Sequence, residues 1–209
     1  QHYPEMGLLH IDAHDDLRAA YEDFKCSHAS IMNNVLTRLP LAKLVQVGIR
    51  DFCDEELELI HQAPTRIRTF FDQDLHRARL AGTPTLHIFR NIISELPKEV
   101  YVSFDIDGLD PTLCPHTGTP VPGGLSFQEA SALLYEVTNS GRKIVGFDLT
   151  EVAPGPHDDW DANVGARVLY KLCGASLAQH RAQHRSGRVP LTQGSSGPGF
   201  LKVKRPGIA

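Results

Sequence analysis

Close cysteine pairs are missing from this sequence. Cys26, Cys53, Cys114 and Cys173 are scattered, so neither a disulfide frame nor a cysteine zinc site is expected, and reduced thiols point to the cytoplasm or an organelle matrix. Long apolar runs are missing too, which argues against a membrane-spanning helix. The opening residues, 1–5, carry no basic flank or apolar signal region, and they do not begin with Met, so we expect coding sequence upstream. Acids are absent from the end of the chain: all 25 precede Ser176, whereas six of the 21 basic residues (Arg181, Arg185, Arg188, Lys202, Lys204 and Arg205) follow it. So acidic a body repels nucleic acid and is relieved by bound cations. The basic end has no aromatic interleaving beyond Phe200 and includes the linker-like stretch 193–199. It reads as a flexible tail over 179–209, appended to a single domain over 1–178, with His180 and His184 as surface residues.

What is present is an apolar fraction of 41%, enough for a large core, and a regular alternation of strand and helix patterns. Strands are expected at 6–12, 44–50, 65–71, 102–107 and 144–152. Helices are expected at 31–39, 54–61, 86–96, 126–137 (opened by the capping box of Ser126 and Glu129) and 164–172, the last stopping at Gly174. This order predicts an α/β fold, a mostly parallel sheet covered on both faces.

Acids gather where the strands end. In Val102–Pro111, period-two alternation places Val102, Phe104 and Ile106 on one face and Ser103, Asp105 and Asp107 on the other, before Gly108 and Asp110-Pro111 break the strand. Two such carboxylates side by side are unfavourable without a proton or cation between them; an acidic junction in solvent is the plainer alternative. The run Met6–Asp12 ends likewise in Asp12-Ala-His14-Asp15-Asp16, where alternation brings His14 and Asp16 to the side of Asp12. Asp148 and Glu151 close a third strand. Asp12, His14, Asp16, Asp105 and Asp107 together offer four carboxylates and one imidazole, a hard donor set that suits two Mn or Mg ions better than zinc. Two ions sharing carboxylates activate water for hydrolysis, so spacing alone points to a metallohydrolase. Other residues are less distinctive: His28 reads as a helix-start histidine, His116 as solvent-facing unless a ligand or substrate contact, and Asp158, Asp159 and Asp161 as acids favouring the following helix N-terminus.

The motifs Asp12-Ala-His14-Asp15-Asp16 and Ser103-Phe-Asp105-Ile-Asp107-Gly-Leu-Asp-Pro111 resemble those of the arginase/agmatinase family of ureohydrolases, over a stretch from about Met6 to Gly174. The resemblance implies a three-layer α/β/α fold and a binuclear manganese site that hydrolyses a small guanidino substrate to urea and an amine. By motif, Asp12 and Asp105 would bridge two Mn ions, Asp16 would complete one site, and His14 and Asp107 the other. Glu151 would grip the guanidinium and His28, in Cys-Ser-His-Ala-Ser, would shuttle protons; the loop from Thr117 to Gly124 would wall the site. The family's histidine ligand from a Gly-Gly-Asp/Glu-His-Ser type motif has no match here, so that ligand and further N-terminal strands are expected upstream. Unpaired strand edges would favour self-association into a homo-oligomer.

The context of Arg18, Ala20–Glu22 and Ser-His28-Ala-Ser resembles the agmatinase branch, making agmatine the expected substrate. Arg18, if it faces the pocket, would attract a carboxylate, which keeps guanidino acids such as guanidinobutyrate open, as well as arginine itself. A non-catalytic metal-binding relative is a further alternative; a phosphatase-like two-metal hydrolase is weakened by the lack of a basic phosphate-binding cluster.

Overall fold

The computed structural model describes residues 3–186, and from residue 179 onward the backbone alone. Five strands, β1 (Gly7–Ile11), β2 (Lys43–Ile49), β3 (Ile67–Phe71), β4 (Glu99–Asp105) and β5 (Lys143–Thr150), form one sheet in the order β3-β2-β1-β4-β5. All four pairings are parallel. The chain runs outward from β1 through β2 to β3, then returns to β1's other side to lay down β4 and β5. That reversal opens a crevice between the C-terminal ends of β1 and β4, where sheets of this kind take their ligands.

Alternation sorts the two faces. On one, Leu9, Ile11, Val45, Val47, Val102 and Phe104 pack under α4 (Thr85–Ser94), α5 (Phe127–Asn139) and α6 (Trp160–Ser186). On the other, Leu8, Leu44 and Ile67 meet α1 (Ile31–Arg38) and α2 (Asp54–Gln62). The result is the expected three-layer α/β/α architecture. Farther along the second face, one register level crosses the whole sheet as a row of polar side chains: Thr69, Gln46, His10, Ser103 and Asp148. Thr69 donates to Gln46 Oε1, Gln46 Nε2 stands 3.3 Å from His10 Nδ1, and Ser103 donates to Asp148. Hydrogen bonding along the row offsets the cost of burying it.

The expected strands and helices are present, with corrections. A helix not anticipated, α3 (Asp72–Leu80), follows β3 directly. It shows the core only Leu75, too little apolar periodicity to be seen in sequence. Ile106–Gly108 is a 3-10 turn rather than strand. Helix α6 does not stop at Gly174 but continues to Ser186. Gly174 has no positive φ, so it does not act as a C-terminal cap. His180 and His184 thus lie in α6, although their side chains, like residues 187–209 of the expected tail, fall outside the description. Among the described residues no helix is long and apolar enough to cross a membrane.

Candidate active site

β1 and β4 deliver the acidic groups. Past Ile11 the chain keeps near β2 through an isolated bridge between His14 and Asp51, and beyond Asp105 the 3-10 turn swings Asp107 back toward β1. Asp107 Oδ1 accepts from the amide of Ala13 at 3.1 Å, and Asp105 Oδ1 accepts from the amide of Asp107 at 2.9 Å. Thr150, at the end of β5, donates to Asp105 Oδ2. His14 Nδ1 lies 3.1 Å from Asp107 Oδ2 and 3.3 Å from Asp12 Oδ1. Gly108 must be glycine: a Cβ there would stand 2.8 Å from the Asp12 backbone nitrogen.

Asp12, His14, Asp16, Asp105 and Asp107 all line one cavity of about 150 Å³, together with Asp15, Arg18, Tyr21, His28, Asp51, Glu56, Thr119 and Glu151. Every residue singled out from sequence for metal, proton transfer or substrate is therefore brought to one place. Two clusters of donor atoms close enough to hold an ion meet at Asp12: Asp12 with His14 and Asp107 in the cavity, and Asp12 with Asp16 and with His10 behind it on β1. Asp12 belongs to both, as a bridging carboxylate would.

Electrostatics support a cationic occupant. Burial and the nearby Asp12 carboxylate push Asp16 up to about 7 and Asp105 up to about 8. Burial, reinforced by Glu56, pushes Asp15 up to about 8, and neither of its buried oxygens has a hydrogen-bond partner. For His14, burial opposes the charged form, but Asp107 and Asp12 outweigh it and raise the imidazole to about 10. Burial likewise works against the Asp12 carboxylate, yet His10 holds it well below the usual carboxylate range. Packed carboxylates that resist ionising together are stabilised by cations, and a donor set of oxygens with one or two imidazoles fits divalent ions.

The backbone is strained at both ends of the cavity. Asp16 and Glu151 have φ of +56° and +59°, conformations that cost a non-glycine residue about 1–3 kcal/mol. Asp16 is pinned by its carbonyl, which accepts from the amides of Met32 and Asn33 at the start of α1. His28 begins a 3-10 turn, and its ring meets Tyr21 edge-on at 5.5 Å. Arg18 stacks over the same tyrosine and lies 3.7 Å from Glu56; its charge is already countered.

Several contributors were missed in the sequence. His10 Nε2 lies 2.8 Å from Asp12 Oδ2; counting back two residues from Asp12 on an alternating strand would have found it. Gln46 Nε2 donates to the Asp15 carbonyl, which fixes the Gln46 amide. His10 Nε2 donates to Asp12; burial opposes the charged imidazole, but the Asp12 carboxylate outweighs it and raises the group to about 9, which makes His10 an orienting group for that carboxylate. Glu56, read only as part of an acidic helix, is buried and accepts from the amides of Leu17 and Cys53. Arg50 reaches the carbonyls of Asp107, Leu109 and Val121 and ties the loop before α5 to the end of β4. One expectation needs correcting and another extending. Asp161 does stand in the first turn of α6, but it is also buried and both its oxygens engage His116, which is therefore not simply solvent-facing. Asp158 does cap, accepting from the amide of Trp160.

Comparison with known proteins agrees with this geometry. A family model described as "Arginase family" matches residues 1–174. An N(1)-aminopropylagmatine ureohydrolase of Thermus thermophilus is 38% identical over 173 residues, 81% of this chain and 54% of the relative. The agmatinase of Bacillus subtilis is 30% identical over 172 residues, 81% of this chain and 55% of the relative. The crystal structure of the agmatine ureohydrolase of Thermoplasma volcanium superposes with a TM-score of 0.71 at 26% identity, over 87% of this chain and 58% of that one. This chain spans about half the length of the curated relatives it matches. With the family model covering most of the chain and the fold shared with a solved ureohydrolase, the chain belongs to the arginase family.

Proposed function

We propose that the protein hydrolyses the guanidino group of a small cationic substrate, agmatine foremost, to urea and an amine, using two manganese ions. The observation that carries this reading is the meeting of Asp12, His14, Asp16, Asp105 and Asp107 with Glu151 and His28 in one cavity. Asp12, His14, Asp16, Asp105 and Asp107 would hold the ions, which when bound would supply a water acidified to near neutrality. Glu151 accepts N–H groups of the guanidinium in a charge-assisted pair and fixes its central carbon. His28 gives a proton to the departing amine nitrogen.

Charge selects among guanidines. Eight carboxylates line the cavity (Asp12, Asp15, Asp16, Asp51, Glu56, Asp105, Asp107 and Glu151) against the single guanidinium of Arg18. Two divalent ions leave the wall negative, which favours the free ammonium of agmatine over the carboxylate of guanidinobutyrate or arginine. Arg18, countered by Glu56, is a weaker attraction for a carboxylate than its sequence position suggests. The test is urea release from agmatine, its aminopropyl derivative, guanidinobutyrate and arginine, with and without manganese. Agmatine or its derivative is expected to exceed the other two at least tenfold in kcat/KM. Preference for arginine would refute the substrate assignment, and urea release indifferent to chelation would refute the metal site.

A further inference from the structure

Glu151 is held from behind by residues outside the cavity. Its left-handed backbone persists only if its neighbours over-determine it, and two neighbours come from the loop before α5. Thr117, buried, donates its hydroxyl to the Glu151 carbonyl at 3.0 Å. Gly118 lies against the carboxylate, where a Cβ would stand 3.5 Å from Oε2. This loop is rich in glycine and proline; Arg50 ties its far part at Val121, and the part beside Glu151 has a separate anchor.

The residue before Thr117 supplies the fixing. The amide of His116 donates to Asp161 Oδ1 at 2.9 Å, and its ring Nδ1 pairs with Oδ2, also at 2.9 Å. Asp161 is 1% exposed, in the first turn of α6. Gly155 closes the other side of the ring: a Cβ there would stand 2.8 Å from His116 Cε1. Helix α6 in turn packs on β5, the strand that delivers Glu151. Asp158 stands near enough to make a three-donor group with the pair, but it caps Trp160, and His116 and Asp161 bond to each other; the arrangement is a latch rather than a cation site.

We infer that His116 and Asp161 are a positioning pair that sets Glu151 for guanidinium binding without touching substrate. The inference rests on the assignment of Glu151 as the guanidinium clamp. The test measures KM and kcat for agmatine, calorimetric agmatine affinity and melting temperature in the metal-loaded full chain. His116→Ala and Asp161→Ala should each raise KM and Kd about tenfold with kcat changed less than about threefold. Their combination should be no worse than either alone, since both break one link. His116→Asn, which keeps the backbone donor and returns a side-chain N–H toward Asp161, should recover most of the loss. A purely structural role would lower the melting temperature and kcat with Kd unchanged; a Kd change below threefold in both alanine variants, or no recovery by asparagine, overturns the inference. Should His116→Ala fail to fold, Thr117→Val removes only the hydroxyl bond to Glu151 and must raise Kd if the latch is real. Glu151→Ala separates the two levels. If it weakens binding and the latch variants do not, the pair alone is refuted; if it leaves binding intact, the clamp itself is refuted.

Discussion

Strand β4 carries two regions back to back. Phe104, pointing to one face, is fully buried among Leu9, Ile11 and Val102; Asp105, one residue on and pointing the other way, is pushed up to about 8 by burial and by the carboxylates beside it. The first region favours folding, and the second works against it unless cations are present. A single pleat thus separates what stabilises this protein from what equips it for chemistry, and the two should fail differently.

Asp105→Ala should break the acidic side alone, lowering metal-dependent urea release by roughly a thousandfold or more, the scale of several kcal/mol of transition-state stabilisation. Chemical denaturation of the metal-free variant should show stability unchanged or increased, because a buried repulsion is gone. Phe104→Ala should do the reverse, costing about 3–5 kcal/mol of stability, with metal affinity in the surviving folded fraction nearly unchanged. Equilibrium urea unfolding monitored beside manganese titration would read both.

Acidity sharpens the contrast. Asp16 and Asp105 keep their protons to about 7 and 8 in the folded chain, whereas unfolded aspartates release them near 4. Between those limits the folded state binds more protons, so in chelator its stability should fall as pH rises from about 4 to 8. His14, raised to about 10, acts in the same direction from about 6.5 upward. Manganese should flatten the dependence, and melting scans across pH with and without the metal would show it. Far from either region, Ser126→Ala should cost only about 1 kcal/mol by removing the capping box of α5. Breaking the exposed Arg90–Glu136 pair should cost less than about 0.5 kcal/mol in the same unfolding assay.

The acidic side was legible in sequence because its signals are local. Asp12, His14 and Asp16 lie within five positions, Asp105 and Asp107 within three, and strand alternation does the rest. The sheet was legible for the same reason, each strand being a short apolar run between turns. Other features depend on distant partners and left no local trace. Asp161 looks like any acid at a helix start, and only the approach of His116, 45 residues earlier, gives it a buried role. Glu56 sits in an acidic stretch, and its burial follows from folding the Leu17 amide onto it. Gly174 reads as a stop, yet it keeps a helical backbone and α6 runs on, and α3 shows too few apolar residues to announce itself. His10 is the instructive miss: its position was readable by counting two, but its neighbour Gln46 comes from the next strand.

The polar row that crosses all five strands also bears on how the sheet finds its own alignment. Apolar side chains such as Leu9 or Val45 tolerate sliding against similar neighbours, but Gln46 and His10 are completed only when each stands opposite the other. A strand threaded one residue out of step would strand these amides and imidazoles without partners in a dry interior, at about 1–3 kcal/mol each. The side chains beside the acidic cluster therefore also favour one alignment of the sheet over its neighbours.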